Sequence, residues 1–189
     1  MAALPDLITV AQYRQLPDNG EFVYELHHGE VVAMSRPKAR HWKLQLRLMR
    51  LLEPKLRLFG EVGMEFPYRP LAEFELRAAD VAAVSRGRWE TMDPDDNLRG
   101  APELVIEVKS PSNTAAQLRE LATLCLANGT LECWIVDPKK NSITVIQRDG
   151  STVVYEEGQS IPLAAFGAGS LAISEIFATQ SEPPPQGSN

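Results

Sequence analysis

Glu103-Leu104-Val105-Ile106-Glu107-Val108-Lys109-Ser110 reads as a buried strand that carries a carboxylate and an amine, Glu107 and Lys109, on the same side. Side chains alternate faces along a strand, so Leu104, Ile106 and Val108 point one way while Val105, Glu107 and Lys109 point the other. A carboxylate and an amine two residues apart in an otherwise apolar run cost free energy unless they are paired, solvated in a cleft or bound to a metal. An intrastrand ion pair at a sheet edge is the plain alternative. The apolar neighbours argue instead for a central strand covered on both faces.

Working outward from this strand, the chemistry of each segment is local and readable. Ser110-Pro111-Ser112-Asn113-Thr114 leads into a helix over 115–127, stopped by Asn128-Gly129. A strand over 132–137 ends at Pro138, and strands over 142–148 and 151–155 form a hairpin about Asp149-Gly150. A short helix is expected over 173–178, followed by a disordered tail over 181–189. On the upstream side, 61–68 and 74–84 alternate as strands around a turn at Arg69-Pro70, and Asp80 lies in the second. The segment 41–52 spreads Trp42, Leu44, Leu46, Leu48, Met49, Leu51 and Leu52 over one helical arc, with Arg40, Lys43, Arg47 and Arg50 on the complementary stripe. His41 and Gln45 fall inside the apolar arc, one turn apart, as cleft-lining candidates. Pro54 is expected to kink or end this helix. Residues 9–15 suit a short helix capped by Thr9, and 21–34 suit two strands around His28-Gly29 that carry Glu25 and Glu30. Residues 85–102 read as a long polar surface loop with room for a short helical turn. Its acids Asp93, Asp95 and Asp96 lack calcium-loop spacing and read as solvated turn residues.

This order predicts an α/β (mixed α+β) fold: a mixed central sheet flanked by helices, the 103–110 strand at its centre and the C-terminal hairpin at an edge. At 189 residues the chain suits a single domain over 1–180. Hydrophobic residues at 44% and charged residues at 23% exclude the disordered, collagenous and membrane classes. Without a leader pattern or an apolar run long enough to span a bilayer, the cytoplasm is the expected compartment. Cys125 and Cys133, outside any metal-type spacing, read as reduced core thiols. A net charge of −6 argues against a protein that coats nucleic acid. The charge is uneven, though: between 36 and 60 the bases Arg36, Lys38, Arg40, Lys43, Arg47, Arg50, Lys55 and Arg57 face the single acid Glu53. Arg40, Lys43, Arg47 and Arg50 are therefore candidate phosphate contacts, against the plain reading of a solvated helix face.

Glu107 and an Asp80 from an upstream strand suit Mg²⁺, with the Val108 carbonyl as a third oxygen ligand and open positions for water and phosphate. Lys109 beside them suits a group that orients or deprotonates the attacking water, or steadies the charge that develops on phosphorus. For Asp80 the plain alternative is a turn-capping acid paired with Arg77 or Arg86. For Glu25 it is a surface salt bridge, and for His41 a polar residue opening a helix.

Tyr24-Glu25-Leu26 with Gly29-Glu30-Val31, His41, the run 102–112 and Glu132-Cys133-Trp134-Ile135-Val136-Asp137-Pro138 occur in an order that resembles the Uma-type restriction endonuclease family of the PD-(D/E)XK nuclease superfamily. The resemblance runs from about 9 to 178. It implies a restriction-endonuclease-like fold in which Asp80 and Glu107 are metal ligands, Lys109 is the catalytic lysine and Glu25 is an accessory acid. It implies Mg²⁺, with Mn²⁺ able to substitute, a nucleic-acid substrate with DNA first, no membrane association, and a homodimer where both strands are cut. Pro102-Glu103 is not the superfamily's Pro-Asp, because it shares a strand with Glu107. Three positions depart from the pattern: Ala79 stands where proline usually precedes the aspartate, and Leu121 and Cys125 stand where a lysine and a tyrosine are common. These departures motivate the alternative of a nuclease-fold binding module, dimeric and with weak or absent catalysis.

Overall fold

A computed structural model describes residues 7–17, 23–34, 37–111 and 113–178. The expected tail at 181–189 lies outside them, as do Arg36 and Glu21. The elements in chain order are α1 (Val10–Tyr13), β1 (Val23–His27), β2 (Glu30–Met34), α2 (Ala39–Leu56), β3 (Gly60–Arg69), β4 (Arg77–Ser85), α3 (Arg86–Glu90), β5 (Leu98–Arg99), β6 (Leu104–Val108), α4 (Ala115–Ala127), β7 (Glu132–Asp137), β8 (Ser142–Gln147), β9 (Thr152–Tyr155), β10 (Ser160–Pro162), β11 (Ser170–Ala172) and α5 (Ile173–Phe177). α1 and α4 both start at a threonine whose hydroxyl accepts from the third helical N–H, while the glutamine there reaches back to the cap.

Seven strands form one mixed sheet in the order β5-β3-β4-β6-β7-β8-β9. β6 is its central strand, and the β8–β9 hairpin is at an edge. α2 covers one face, where Leu48, Leu52 and Leu56 pack with Val81, Ala83, Leu104, Ile106 and Val108. α4 covers the other, where Leu121, Ala122 and Cys125 meet Tyr68, Ala82, Val105 and Cys133. A strand buried on both faces has no polar side to present, which is why 104–108 is apolar except for Glu107. Each leucine fully buried in this way contributes about 1.5–3 kcal/mol.

Three segments depart from the local reading. α2 runs through Pro54 to Leu56. Proline removes only the hydrogen bond to the Arg50 carbonyl, and both residues are exposed, so water can replace it. The stretch 85–102 holds its helical turn as α3, but it is not otherwise plain loop: β5 pairs in parallel with β3 through Tyr68–Leu98 and Arg69–Arg99. Asp96 within it is not solvated. Its carboxylate is met by Arg14 at 2.6 Å, Arg69 at 2.8 Å and Arg99 at 3.1 Å, which hold its carboxyl well below the usual range although burial opposes them. Finally, β10 and β11 pair as a small hairpin that no turn motif announced, and its Ile161 and Leu171 close the core.

Gly60 begins β3 against the end of β4, where a Cβ would fall 1.9 Å from the Val84 carbonyl oxygen. Only glycine lets the two backbones approach this closely.

The registers create an opening in the sheet. β4 and β6 are paired from Ala83–Leu104 to Val81–Ile106 and no further. β4 stays with β3 as far as Arg77, and β6 stays with β7 through Val108. Past Val81 and Ile106, each strand therefore follows its other neighbour, and the two diverge as a fork. Among the described residues no helix is long and apolar enough to cross a membrane.

Candidate active site

Asp80 and Glu107 are the first residues past the last β4–β6 pair, one on each prong of the fork. Continuing the same antiparallel register sets them across from each other. The Asp80 carboxylate fills the base of the fork. Its Oδ2 accepts the Val108 N–H at 2.5 Å, standing in for the strand backbone that has departed. Its Oδ1 accepts from Gln45 Nε2 at 2.7 Å and lies 3.0 Å from His41 Nε2. His41 and Gln45 are one turn apart on α2, so one helix face delivers both. Neither Arg77 nor Arg86 takes Asp80: Arg77 pairs with Glu75 at 2.7 Å, and Arg86 donates to the Arg57 carbonyl.

Residue-by-residue reading passed over Glu65. The β3–β4 ladder runs from Met64–Val81 to Phe66–Ala79 and skips the step between, which is Glu65 opposite Asp80. Glu65 has φ +47°, left-handed and unusual for a side chain of this kind. Such a conformation costs of order 1 kcal/mol and clusters at functional sites. Its Oε1 accepts from the same Gln45 Nε2, at 2.5 Å, so one amide nitrogen bridges acids from two strands. Gln45 is fully buried, and among the described residues its Oε1 has no hydrogen-bond partner. The signal in the sequence was a lone acid inside the alternating apolar run Val62-Gly63-Met64-Glu65-Phe66.

Negative charge crowds this region. Burial pushes the Glu107 carboxyl well above the usual carboxylate range; Asp80, Glu25 and Glu65 add to the rise, and Arg77 opposes it. The Glu65 carboxyl is raised by burial first, with the Gln45 hydrogen bond working against it. The hydrogen bond to Asp80 raises the His41 imidazole, so the ring favours the charged form. Glu25 is buried beside the same prong of β4: its Oε1 accepts the N–H of Ala78, two residues from Asp80, at 3.2 Å and its Oε2 lies 2.6 Å from His27 Nε2.

Not every candidate gathers at the fork. Lys109 lies just past β6 and is exposed; its Nζ is 3.3 Å from Asp137 Oδ2 at the end of β7, so it forms no ion pair with Glu107. The atom of Val108 engaged at the site is its N–H. In the basic stripe, Arg47 donates to the carbonyls of Ile176 and Ala178, and Arg40, Lys43 and Arg50 are exposed. At 100° per residue the stripe is on the opposite side of α2 from His41 and Gln45, and so faces away from the fork. Leu121 and Cys125 are sealed in the core, with Cys125 Sγ 3.2 Å from Tyr68 Oη. Burial pushes the Cys125 thiol up to about 12, which leaves it unreactive.

The donor chemistry fits a hard divalent cation. Among the described residues no three His, Cys, Asp or Glu side chains come together closely enough to hold a metal ion. Mg²⁺, however, is commonly held by one or two protein carboxylates and keeps several waters. Two acids across a fork, with Glu65 and Glu25 nearby and a buried Gln45 oxygen that accepts no hydrogen bond among the described residues, offer oxygen donors of the kind such an ion takes.

Comparison with known proteins agrees with this architecture. No curated protein matches the sequence. A crystal structure described as a putative nuclease belonging to DUF820, from Anabaena variabilis ATCC 29413, superposes with a TM-score of 0.76. The match covers 90% of this chain and 97% of the other at 20% identity, a likeness of fold. The family described as "Uma2: Putative restriction endonuclease" matches residues 10–174, nearly the whole folded domain, and the chain belongs to that family.

Proposed function

We propose that the protein is a metal-dependent endonuclease that hydrolyses nucleic-acid phosphodiester bonds at the β4–β6 fork, with DNA as the first substrate class. The observation that carries the reading is the placement of Asp80 and Glu107 at the base of the fork, on prongs that no longer pair. These two residues would hold Mg²⁺ or Mn²⁺, with the Val108 carbonyl as a further oxygen donor. When bound, the ion supplies Lewis-acid polarisation of the phosphate and a more acidic water.

The chain's own groups do the rest. The Val108 N–H, His41 and Gln45 fix the Asp80 carboxylate from three sides, so it does not have to reorganise when charge develops. Burial first, then the neighbouring acids Asp80, Glu25 and Glu65, disfavour a charged Glu107. Lys109 is exposed and, among the described residues, held by Asp137 alone, a surface pair worth at most about 1 kcal/mol. That is weak enough for Lys109 to leave Asp137 and orient the attacking water or steady the phosphate.

The test is nicking of supercoiled plasmid, with single-stranded DNA and RNA as further arms, in millimolar Mg²⁺ or Mn²⁺. Wild type cuts, chelation stops it, and Asp80→Ala, Glu107→Ala and Lys109→Ala each lose about 100-fold or more. Cutting by Glu107→Ala at the wild-type rate would overturn the assignment. A second reading, a binding module without catalysis, is favoured by Leu121 and Cys125 being sealed in the core and by Lys109 resting on Asp137. It predicts binding without cleavage in either metal.

A further inference from the structure

Several arginines are already committed within the protein. Arg14, Arg69 and Arg99 converge on Asp96, Arg77 is buried on Glu75, and Arg88 serves Glu103 and the Ala101 carbonyl. The α2 stripe faces away from the fork, with Arg47 spent on α5. A phosphodiester chain approaching Glu107 and Asp80 therefore needs cations from elsewhere, since the acids there would repel it.

The end of the sheet beside Glu107 has them. β6 and β7 are parallel, with Val108 against Val136, so the turn leaving β7 flanks Lys109. Asp137 organises this corner. Its Oδ2 lies 3.3 Å from Lys109 Nζ, and its Oδ1 accepts the N–H groups of Lys139 at 3.0 Å and Lys140 at 3.3 Å. Pro138 fixes one backbone angle of the turn, and Asn141 at φ +51° closes it in a conformation that asparagine tolerates. Lys139 and Lys140 are exposed, and among the described residues neither ammonium pairs with a carboxylate. Three ammonium groups thus stand against one carboxylate on a stiff turn.

We propose that this turn, Lys139 and Lys140 beside Lys109, is the edge that grips the phosphate backbone of the nucleic acid, a proposal that rests on the nuclease reading above. Lysine is a point charge without the planar fork that reads base edges, so this contact positions the strand and leaves sequence unread.

The experiment is fluorescence anisotropy with a labelled DNA duplex, with Ca²⁺ in place of Mg²⁺ to hold off hydrolysis, across a series of salt concentrations. Each phosphate contact contributes about 0.9 to the slope of log affinity against log salt, so Lys139→Ala/Lys140→Ala flattens that slope by about 2. Its melting temperature stays at the wild-type value, because both side chains are exposed. Arg40→Ala/Lys43→Ala/Arg50→Ala keeps the wild-type slope. Wild-type binding that the lysine pair does not alter overturns the proposal, as does a flattening confined to the α2 variant. If wild type binds neither duplex, single strand nor RNA at low salt, the nuclease reading falls and takes this one with it.

Discussion

Asp96→Asn keeps the shape of the side chain and removes its charge, which isolates the ion-pair hub that ties α1, β3 and β5 together. The loss can be worked from its three partners. Arg69 is only 11% exposed, and its NH1 meets both Asp96 oxygens at 2.8 Å, so the variant leaves a guanidinium buried without its counter-ion. Arg69 Nε already lacks a partner and cannot compensate. Breaking one side of a buried pair costs about 3 kcal/mol or more. Arg14 and Arg99 are 40% and 71% exposed, and solvent screens them to at most about 1 kcal/mol together. The total is about 3–4 kcal/mol, which for a domain of this size lowers Tm by roughly 10 °C. Differential scanning calorimetry at neutral pH measures it. The sign of the pH dependence follows from the depressed carboxyl. Its contribution is full above the unfolded carboxylate value and is lost as pH falls through the folded one. Wild type should therefore lose its advantage over Asp96→Asn as the solution is acidified below about pH 4. A loss under about 1 kcal/mol, or an advantage that persists in acid, would refute the buried-pair argument.

Glu107→Gln mimics the protonated acid that the crowded site prefers. Without metal, wild-type stability should fall as pH rises from the ordinary carboxylate range through the raised folded value, and the glutamine variant should lack that slope. At neutral pH the variant should be at least as stable as wild type when metal-free, yet gain nothing from millimolar Mn²⁺, read by thermal melting. A wild-type Tm indifferent to Mn²⁺ would count against a metal site. Gly60→Ala must displace the end of β4, because its new carbon meets backbone that cannot yield; a loss of about 2–3 kcal/mol in urea unfolding is expected, and a neutral result would mean that the β3–β4 contact relaxes freely. Leu52→Ala, beneath β6, should cost about 2–5 kcal/mol without changing the metal response.

What could be read from the sequence was local chemistry. The strand at 132–137 and the helix at 115–127 begin and end where Pro138, Thr114 and Asn128-Gly129 say they should, because capping and proline act within a few residues. The inward positions of His41 and Gln45 followed from helical periodicity alone. What stayed hidden depends on partners distant in the chain. Asp96 looked solvated because its arginines come from positions 14, 69 and 99. Lys109 is drawn to Asp137 by a parallel pairing that no local pattern encodes. Arg47 seemed to belong to a free stripe until α5 supplied carbonyls, and Glu65 needed both its left-handed backbone and the β4 register before it stood beside Asp80.

The bond from Val108 N–H to Asp80 has an experimental use of its own. Within a regular ladder, an amide's exchange with solvent deuterium reports strand separation. The Val108 amide is protected instead by a side chain that can be drawn toward an ion. Its proton resonance and exchange rate, followed beside those of Val105 and Ile106 as internal controls, should make this single residue a spectroscopic gauge of what occupies the site, readable without any substrate.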